Sequence, residues 1–140
     1  LAWRLLSKKI DATNNSSFGH RIRSHVDAEL AAAKAAELAG DPSKGFRHLE
    51  RAHVLGQRST VQHVRVHLHM LMRGIRHHDL REVIGQNLRV IGAATTTWLG
   101  LVPHGNTGGS NVSGFKPMAI PNDLAGLIAA ARSPAANSNR

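Results

Sequence analysis

Histidines are concentrated in residues 45–74, which contain five of the ten histidines in the chain. Two pairs in this stretch have the spacing of metal ligands. Glu50 and His53 are three residues apart, and His63 and His67 are four apart, so each pair lies about one turn apart on one helical face. Carboxylate–imidazole and imidazole–imidazole pairs with these spacings bind metal ions in helical proteins. The sequence therefore predicts a metal site formed by Glu50, His53, His63 and His67.

Periodic apolar residues predict the helices that must hold these side chains. The predicted ranges are 18–39, 43–57, 61–76 and 79–99, followed by a short last helix that Asn122 or Asp123 caps. Gly40 is the expected stop of the first helix. Ser59 or Thr60 is the expected cap of the third helix, and Asp79 of the fourth. The short link between the second and third helices makes them antiparallel, which places His53 opposite His63 or His67.

The third and fourth helices each have an apolar stripe that we expect to face the core. The stripe of the third helix contains Val64, Leu68, Leu71 and Ile75. The stripe of the fourth contains Leu80, Ile84, Leu88, Ile91, Thr95 and Trp98. In this orientation His63 and His67 lie on a flank of the third helix, and His69 faces solvent. Gln86 and Arg89 reach back towards His67, whereas Glu82 is a less natural partner of His63.

These elements predict an all-α fold, a compact helical bundle of about four main helices. The pairing of the second and third helices is similar to that of tetratricopeptide (TPR) helix pairs, but no second copy follows at a fixed period. We expect a flexible leader over 1–17, a helical domain over 18–128 and a flexible tail over 129–140. Within the domain, the Gly/Asn-rich C-terminal segment is expected to be ordered and to bury Phe115, Met118 and Ile120 against the bundle.

Composition restricts the metal chemistry. The chain has no cysteine, which excludes disulfides and thiolate ligands. Imidazole and carboxylate ligands suit a transition metal ion such as Zn, Ni, Co, Cu or Fe, whereas Mg and Ca prefer more oxygen ligands. Because the ligating imidazole must be neutral, binding is expected to weaken as the pH falls through about 6.

The formal net charge of +9 favours an acidic partner such as nucleic acid or an anionic surface. The arginines are scattered, however, without a basic block or interleaved aromatics, so nucleic-acid binding is the weaker alternative. No apolar run is long enough to span a bilayer, and the expected location is the cytoplasm.

Several longer motifs resemble a small bacterial family described as a domain of unknown function. The motifs are "HLERAHVLGQ" and "VPHGNTGGSNVSGFKPMAIPNDL", and the resemblance extends over about residues 25–127. It implies no settled activity. An association of its members with metal- and metalloid-resistance functions favours metal binding.

The leading hypothesis is a non-catalytic metal-binding protein for sensing, buffering or delivery, with the metal ion as its partner. A metalloenzyme is less favoured, and requires an open coordination position. The alternatives are a helical module that binds a protein partner or forms a homodimer, with structural histidines, and a basic nucleic-acid binder.

Overall fold

A computed structural model of the protein describes residues 2–99 and 117–133, with side chains described mainly over 17–89 and 117–133. This part of the chain contains five helices packed together and no strand, which confirms the predicted all-α class. The helices are α1 (Ala2–Leu38), α2 (Pro42–Gly56), α3 (Thr60–Arg76), α4 (Leu80–Leu99) and α5 (Asn122–Arg132).

The first helix is longer than predicted, because it begins at Ala2 and not near Phe18. The predicted leader over 1–17 contains Asn and Ser, but these residues disfavour a helix by less than about 1 kcal/mol each and do not stop one. At its other end α1 terminates at Leu38, and Gly40 follows with a φ of 79°, as expected of a glycine stop. The flexibility of the leader and of the tail remains a prediction.

Side-chain caps start α3 and α4 where the sequence predicts them. The Ser59 hydroxyl accepts a hydrogen bond from the backbone N–H of Gln62 at 3.5 Å. Asp79 Oδ1 accepts one from the N–H of Glu82 at 3.0 Å. These caps satisfy N–H groups that have no partner within the helix, and they fix where each helix starts after its short turn.

The core lies between α1, α2, α3 and α5. α1 packs along α2, α3 packs along α4, α2 contacts α3, and α5 contacts α1 and α2. The main side chains of the core are Phe18, Ile22, Val26, Leu30, Leu49, Ala52, Leu55, Val66, Met70, Leu124 and Ile128. The apolar side of α2, which contains Leu49, Ala52 and Leu55, is therefore buried, and His53 is buried on the same helix.

The predicted orientation of α3 is wrong. Leu68 and Ile75 are 45% and 49% exposed, whereas Val66 and Met70 are fully buried. The helix has two apolar stripes, and the one that enters the core also contains His63 and His67. Periodicity reveals both stripes but does not say which one its neighbours cover.

The predicted orientation of α4 is wrong for the same reason. Leu80, Ile84 and Leu88 are between 63% and 73% exposed, while the polar Glu82 and Gln86 are buried against α3. The side chains of Ile91, Thr95 and Trp98, which the sequence also predicts to face inwards, lie outside the described residues.

The described part of the C-terminal segment, residues 117–121, is not helical. Ile120 packs against the core and Met118 is half-buried, while Phe115 and the Gly/Asn-rich stretch lie outside the described residues. α5 follows Pro121 without a side-chain cap, so the predicted cap is wrong. Instead, Asp123 accepts a hydrogen bond from Arg51 at 2.5 Å.

None of the helices in the described ranges combines the length and the apolar character needed to cross a membrane. The TPR-like pairing of α2 and α3 remains a prediction.

The orientation of α3 can be tested with two neighbouring residues. We expect Met70→Ala to lower the free energy of unfolding by about 2–5 kcal/mol, because it leaves a cavity in the core. Leu68→Ala is expected to cost less than about 1 kcal/mol, because its side chain is half-exposed. Chemical denaturation of both variants measures the difference. The reverse order would contradict the orientation described here.

Candidate metal centre

Three imidazoles converge at the contact between α2 and α3, and we call His53, His63 and His67 the histidine triad. The Nε2 atom of His53 lies 2.8 Å from that of His63 and 3.2 Å from that of His67. The Nε2 atoms of His63 and His67 are 3.1 Å apart. The same ring nitrogen of each residue thus points to one small region.

A short turn and a close helix approach bring the triad together. α2 ends at Gly56 and α3 begins at Thr60, so His53 and His63 lie at similar distances from the link. A Cβ atom on Gly56 would lie 3.0 Å from the Cβ of Gln62, which is closer than side chains normally pack. Glycine at this position lets the two helices meet without displacement.

A second contact fixes the far end of α3 against α1 and α2. The Arg73 guanidinium donates a hydrogen bond to Glu37 on α1 at 2.9 Å and another to the Pro42 carbonyl at 3.1 Å. It also lies over the ring of Phe46 on α2, 4.8 Å from the ring centre. With α3 held at both ends, the face that contains His63 and His67 stays directed at His53.

The triad is removed from solvent. The three residues are between 2% and 5% exposed. A buried polar group that lacks a partner costs about 1–3 kcal/mol. Burying three imidazoles beside one another is therefore unfavourable unless a proton or a metal ion satisfies the nitrogens that face each other.

α4 supplies the side chains that orient His67. The Nδ1 atom of His67 lies 2.6 Å from Oε1 of Gln86. The Gln86 amide nitrogen donates to Glu82 Oε1, also at 2.6 Å, so the amide oxygen faces the imidazole. Since an amide oxygen only accepts, the proton of His67 resides on Nδ1 and its Nε2 presents a lone pair.

This arrangement is the usual way in which proteins orient a metal-binding histidine, since the nitrogen that does not bind metal donates to an oxygen. The predicted approach of Gln86 to His67 is confirmed. Glu82 accepts the hydrogen bond of the Gln86 amide, and its charge acts to raise the pKa of His67. Its role as the anchor of Gln86 was missed, although the four-residue spacing of Glu82 and Gln86 was a signal for it.

Burial keeps the imidazoles of His63 and His67 neutral. Desolvation, helped by the nearby His67 and Arg89, lowers the pKa of His63 to about 3. Desolvation also lowers the pKa of His67 to about 4, although the hydrogen bond to Gln86 and the charge of Glu82 oppose this shift. Neutral imidazole is the form that binds metal. The loss of binding expected near pH 6 from ordinary imidazoles is therefore expected at a lower pH.

The spacing of the nitrogen atoms fits one face of a tetrahedral site. Zinc–nitrogen bonds of about 2.0–2.1 Å in a tetrahedron place neighbouring ligand atoms ~3.3 Å apart. The triad distances of 2.8–3.2 Å are slightly shorter than this, so small ring movements would produce three metal bonds. The metal would lie to one side of the plane of the nitrogens, leaving a fourth position.

The structure brings together three of the four predicted ligands. Within residues 2–99 and 117–133, the group of converging ligand atoms consists of the triad, and Glu50 is not part of it. Glu50 is half-buried on α2, one turn before His53. Its predicted role as a ligand remains a prediction.

Other histidines lie away from the triad. His69, His77 and His78 are exposed, and His48 is half-buried with Nδ1 2.7 Å from a carboxylate oxygen of Glu29. His104 lies outside the described residues.

The fold and the triad define an all-α protein with a buried three-histidine cluster between two helices. Residues 20–128 match the family described as "Protein of unknown function (DUF3703)", and the chain belongs to this family. The resemblance noted in the sequence is thereby confirmed. No curated protein and no solved structure matches the chain.

The lowered pKa values predict an acid-sensitive fold in metal-free protein. Below pH 6.5 an unfolded imidazole takes up a proton, whereas folded His63 and His67 do so only near pH 3–4. The unfolded chain then binds more protons, and the free energy of unfolding falls as the pH decreases from 6.5. Chemical denaturation in the presence of a chelator, at a series of pH values, measures this slope.

The matched variant is His63→Gln, which removes one titrating group and leaves the carboxylates unchanged. Its stability is expected to depend less steeply on pH between 6.5 and 4. An identical slope in the variant and the wild type would contradict the lowered pKa of His63.

Proposed function

We propose that the protein binds one transition metal ion through His53, His63 and His67, as a non-catalytic protein of metal sensing, buffering or delivery. The observation that carries the proposal is the convergence of three buried Nε2 atoms within 3.2 Å of one another. Residues on a short helical hairpin supply all three. A metal ion would satisfy the three lone pairs at once.

The orientation of α3 and α4 supports this function over a purely structural one. Both helices leave large apolar side chains exposed, such as Leu68 on α3 and Ile84 on α4, while histidine, glutamine and glutamate are buried. Buried polar clusters are unfavourable compared with apolar packing unless every group is satisfied. A helix pair that keeps its polar side inwards is consistent with selection for a ligand.

The ligands favour the later first-row metals. Three imidazoles without a thiolate suit Zn, Co, Ni, Cu or Fe, with affinities that rise along the series to Cu. The pyramidal arrangement of the nitrogens suits a four-coordinate ion, which supports Zn²⁺ or Co²⁺ as the first ions to test.

Charge balance supports Glu50 as the fourth ligand. A divalent ion bound to three neutral imidazoles would add two positive charges to a buried region that Arg89 already makes more positive. The charge of Glu82 acts on His67 in the direction that stabilises a cation. A second anion at the metal would reduce the cost of burying the ion. Glu50 lies one turn before His53 on α2, although its carboxylate is not among the ligand atoms that converge at the triad.

Burial supports a non-catalytic role. Each triad residue is at most 5% exposed, and an open pocket at the turn between α3 and α4 is lined by Gly74, Ile75, His78, Leu80 and Val83, none of which belongs to the triad. A metal held in this way is shielded from substrates. Such shielding suits storage, transfer or sensing of the ion.

Replacement of single triad residues tests the proposed function. Untagged wild-type protein is expected to bind one Zn²⁺ or Co²⁺ per chain in isothermal titration calorimetry. His53→Ala and His67→Ala are expected to abolish stoichiometric binding, because each variant leaves only two imidazoles to bind the ion. Circular dichroism should show that both variants keep their helix content.

The control is His69→Ala, since His69 lies on the same helix as His67 but is exposed. This variant is expected to bind the ion like the wild type. If the wild type binds no metal and His53→Ala is less stable than the wild type, the histidines are structural. The better-supported hypothesis is then a helical module that binds a protein partner.

Glu50→Gln tests the fourth ligand separately. The substitution keeps the size of the side chain but removes its charge, so metal affinity should fall and the visible spectrum of the Co²⁺ form should change. His53→Ala provides the comparison for complete loss of the site. If the affinity and the spectrum of Glu50→Gln equal those of the wild type, water or another external ligand occupies the fourth position.

A further inference from the structure

A large apolar surface lies on the side of α3 and α4 that faces away from the triad. Among the described residues, every exposed large apolar side chain except Leu38 lies on these two helices. We call six of them the outer apolar face: Leu68, Met72, Ile75, Leu80, Ile84 and Leu88, with exposed fractions from 45% to 73%. A contiguous patch of this kind on a soluble domain marks a binding surface.

The six side chains form two rows that meet at the turn between α3 and α4. Leu68, Met72 and Ile75 follow one another at steps of four and three residues, and the residues of the α4 row at steps of four. Ile75 and Leu80, one from each row, line the same open pocket together with Val83. Each row is roughly 10–12 Å long, or about two turns of a helix. Two such rows offer a groove for a short amphipathic helix.

The charges beside the face point to an acidic partner. Residues 60–99 contain five arginines and only two acidic residues, Asp79 and Glu82. Glu82 is buried and accepts a hydrogen bond from Gln86, and Asp79 caps the start of α4. Arg76 and Arg81 are exposed next to the apolar rows. Asp79 is the one exposed carboxylate of residues 60–89, so Arg76 and Arg81 give the rim an excess of positive charge.

A second copy of this chain fits the face less well. Two-fold packing would place the same surface on both sides of the interface. Arg76 and Arg81 of one copy would then approach the arginines of the other, and the formal net charge of +9 on each chain adds to the repulsion. An acidic segment avoids this electrostatic repulsion and forms ion pairs with the same arginines.

We propose that the outer apolar face binds an amphipathic helix of a partner protein, with apolar side chains in the groove and acidic side chains beside Arg76 and Arg81. This interaction is independent of metal binding, since none of its residues belongs to the triad. The apolar rows supply affinity, and the arginines select against basic or neutral helices.

Two short synthetic helices test the proposal as probes. They share leucines at helical spacings i, i+3, i+4 and i+7 and differ only in the flanking residues, which are glutamate in one and lysine in the other. Fluorescence anisotropy with the full chain is expected to show binding at least about tenfold tighter for the glutamate peptide, with a preference that shrinks as salt is added. Equal binding of both peptides, or binding of neither, would overturn the proposal.

Variants on and off the face locate the binding. Ile84→Ser is expected to abolish binding of the glutamate peptide, and Arg81→Glu to reverse the preference between the peptides. Leu38→Ser is the matched control, because Leu38 is an equally exposed leucine on α1. It should bind like the wild type. Loss of binding in Leu38→Ser to the same extent as in Ile84→Ser would show that the peptide does not use this face.

Three further outcomes would each assign another occupant to the face and overturn the proposal. The first is a concentration-dependent dimer in sedimentation that Ile84→Ser dissociates. The second is flotation with phosphatidylserine vesicles that Ile84→Ser prevents. The third is a loss of stability in both Ile84→Ser and Leu80→Ser as large as that of a core substitution, which would mean that the chain itself covers the face. Wild-type stability in both variants supports an external partner.

Discussion

The mutual approach of three imidazole nitrogens between α2 and α3 is the constraint to which the rest of the structure responds. To point His63 and His67 at His53, α3 must turn its histidine-bearing side towards the core. That rotation moves Leu68 and Ile75 to the surface and leaves Val66 and Met70 to fill the interior. The orientation of α4 has the same cause. This helix directs Gln86 and Glu82 at the polar side of α3, and its leucines therefore lie on the surface.

Packing in several helices offsets the free-energy cost of burying these polar side chains. α1, α2, α3 and α5 contribute to one apolar core, and its side chains include no member of the triad. Arg73 connects α3 to α1 and α2 through Glu37 and Phe46. Side chains other than the triad thus make the apolar contacts of the core, while α3 and α4 keep polar groups inside and several apolar groups outside. A division of this kind allows a site to be poor at packing and suited to binding.

Much of this could be predicted from the sequence, for reasons that lie in particular residues. Ser59 and Asp79 mark the starts of α3 and α4, and the short link before α3 makes His53 a neighbour of His63 and His67. The rotation of α3 could not be predicted, because Val66 and Met70 form a second apolar stripe and only tertiary contacts choose between the two. The start of α1 was missed because weakly unfavourable residues do not break a helix whose neighbours favour it.

The position of the triad along the chain has a consequence for the order in which the protein is made. All three histidines lie within 15 consecutive residues of the sequence, whereas Gln86 and Glu82 follow 15 or more residues later. Closing so short a loop costs little conformational entropy. During synthesis, the α2–α3 hairpin can therefore bring the three imidazoles together before α4 has emerged. Gln86 on α4 then docks onto an imidazole that is already in place, so the triad forms before the shell that encloses it.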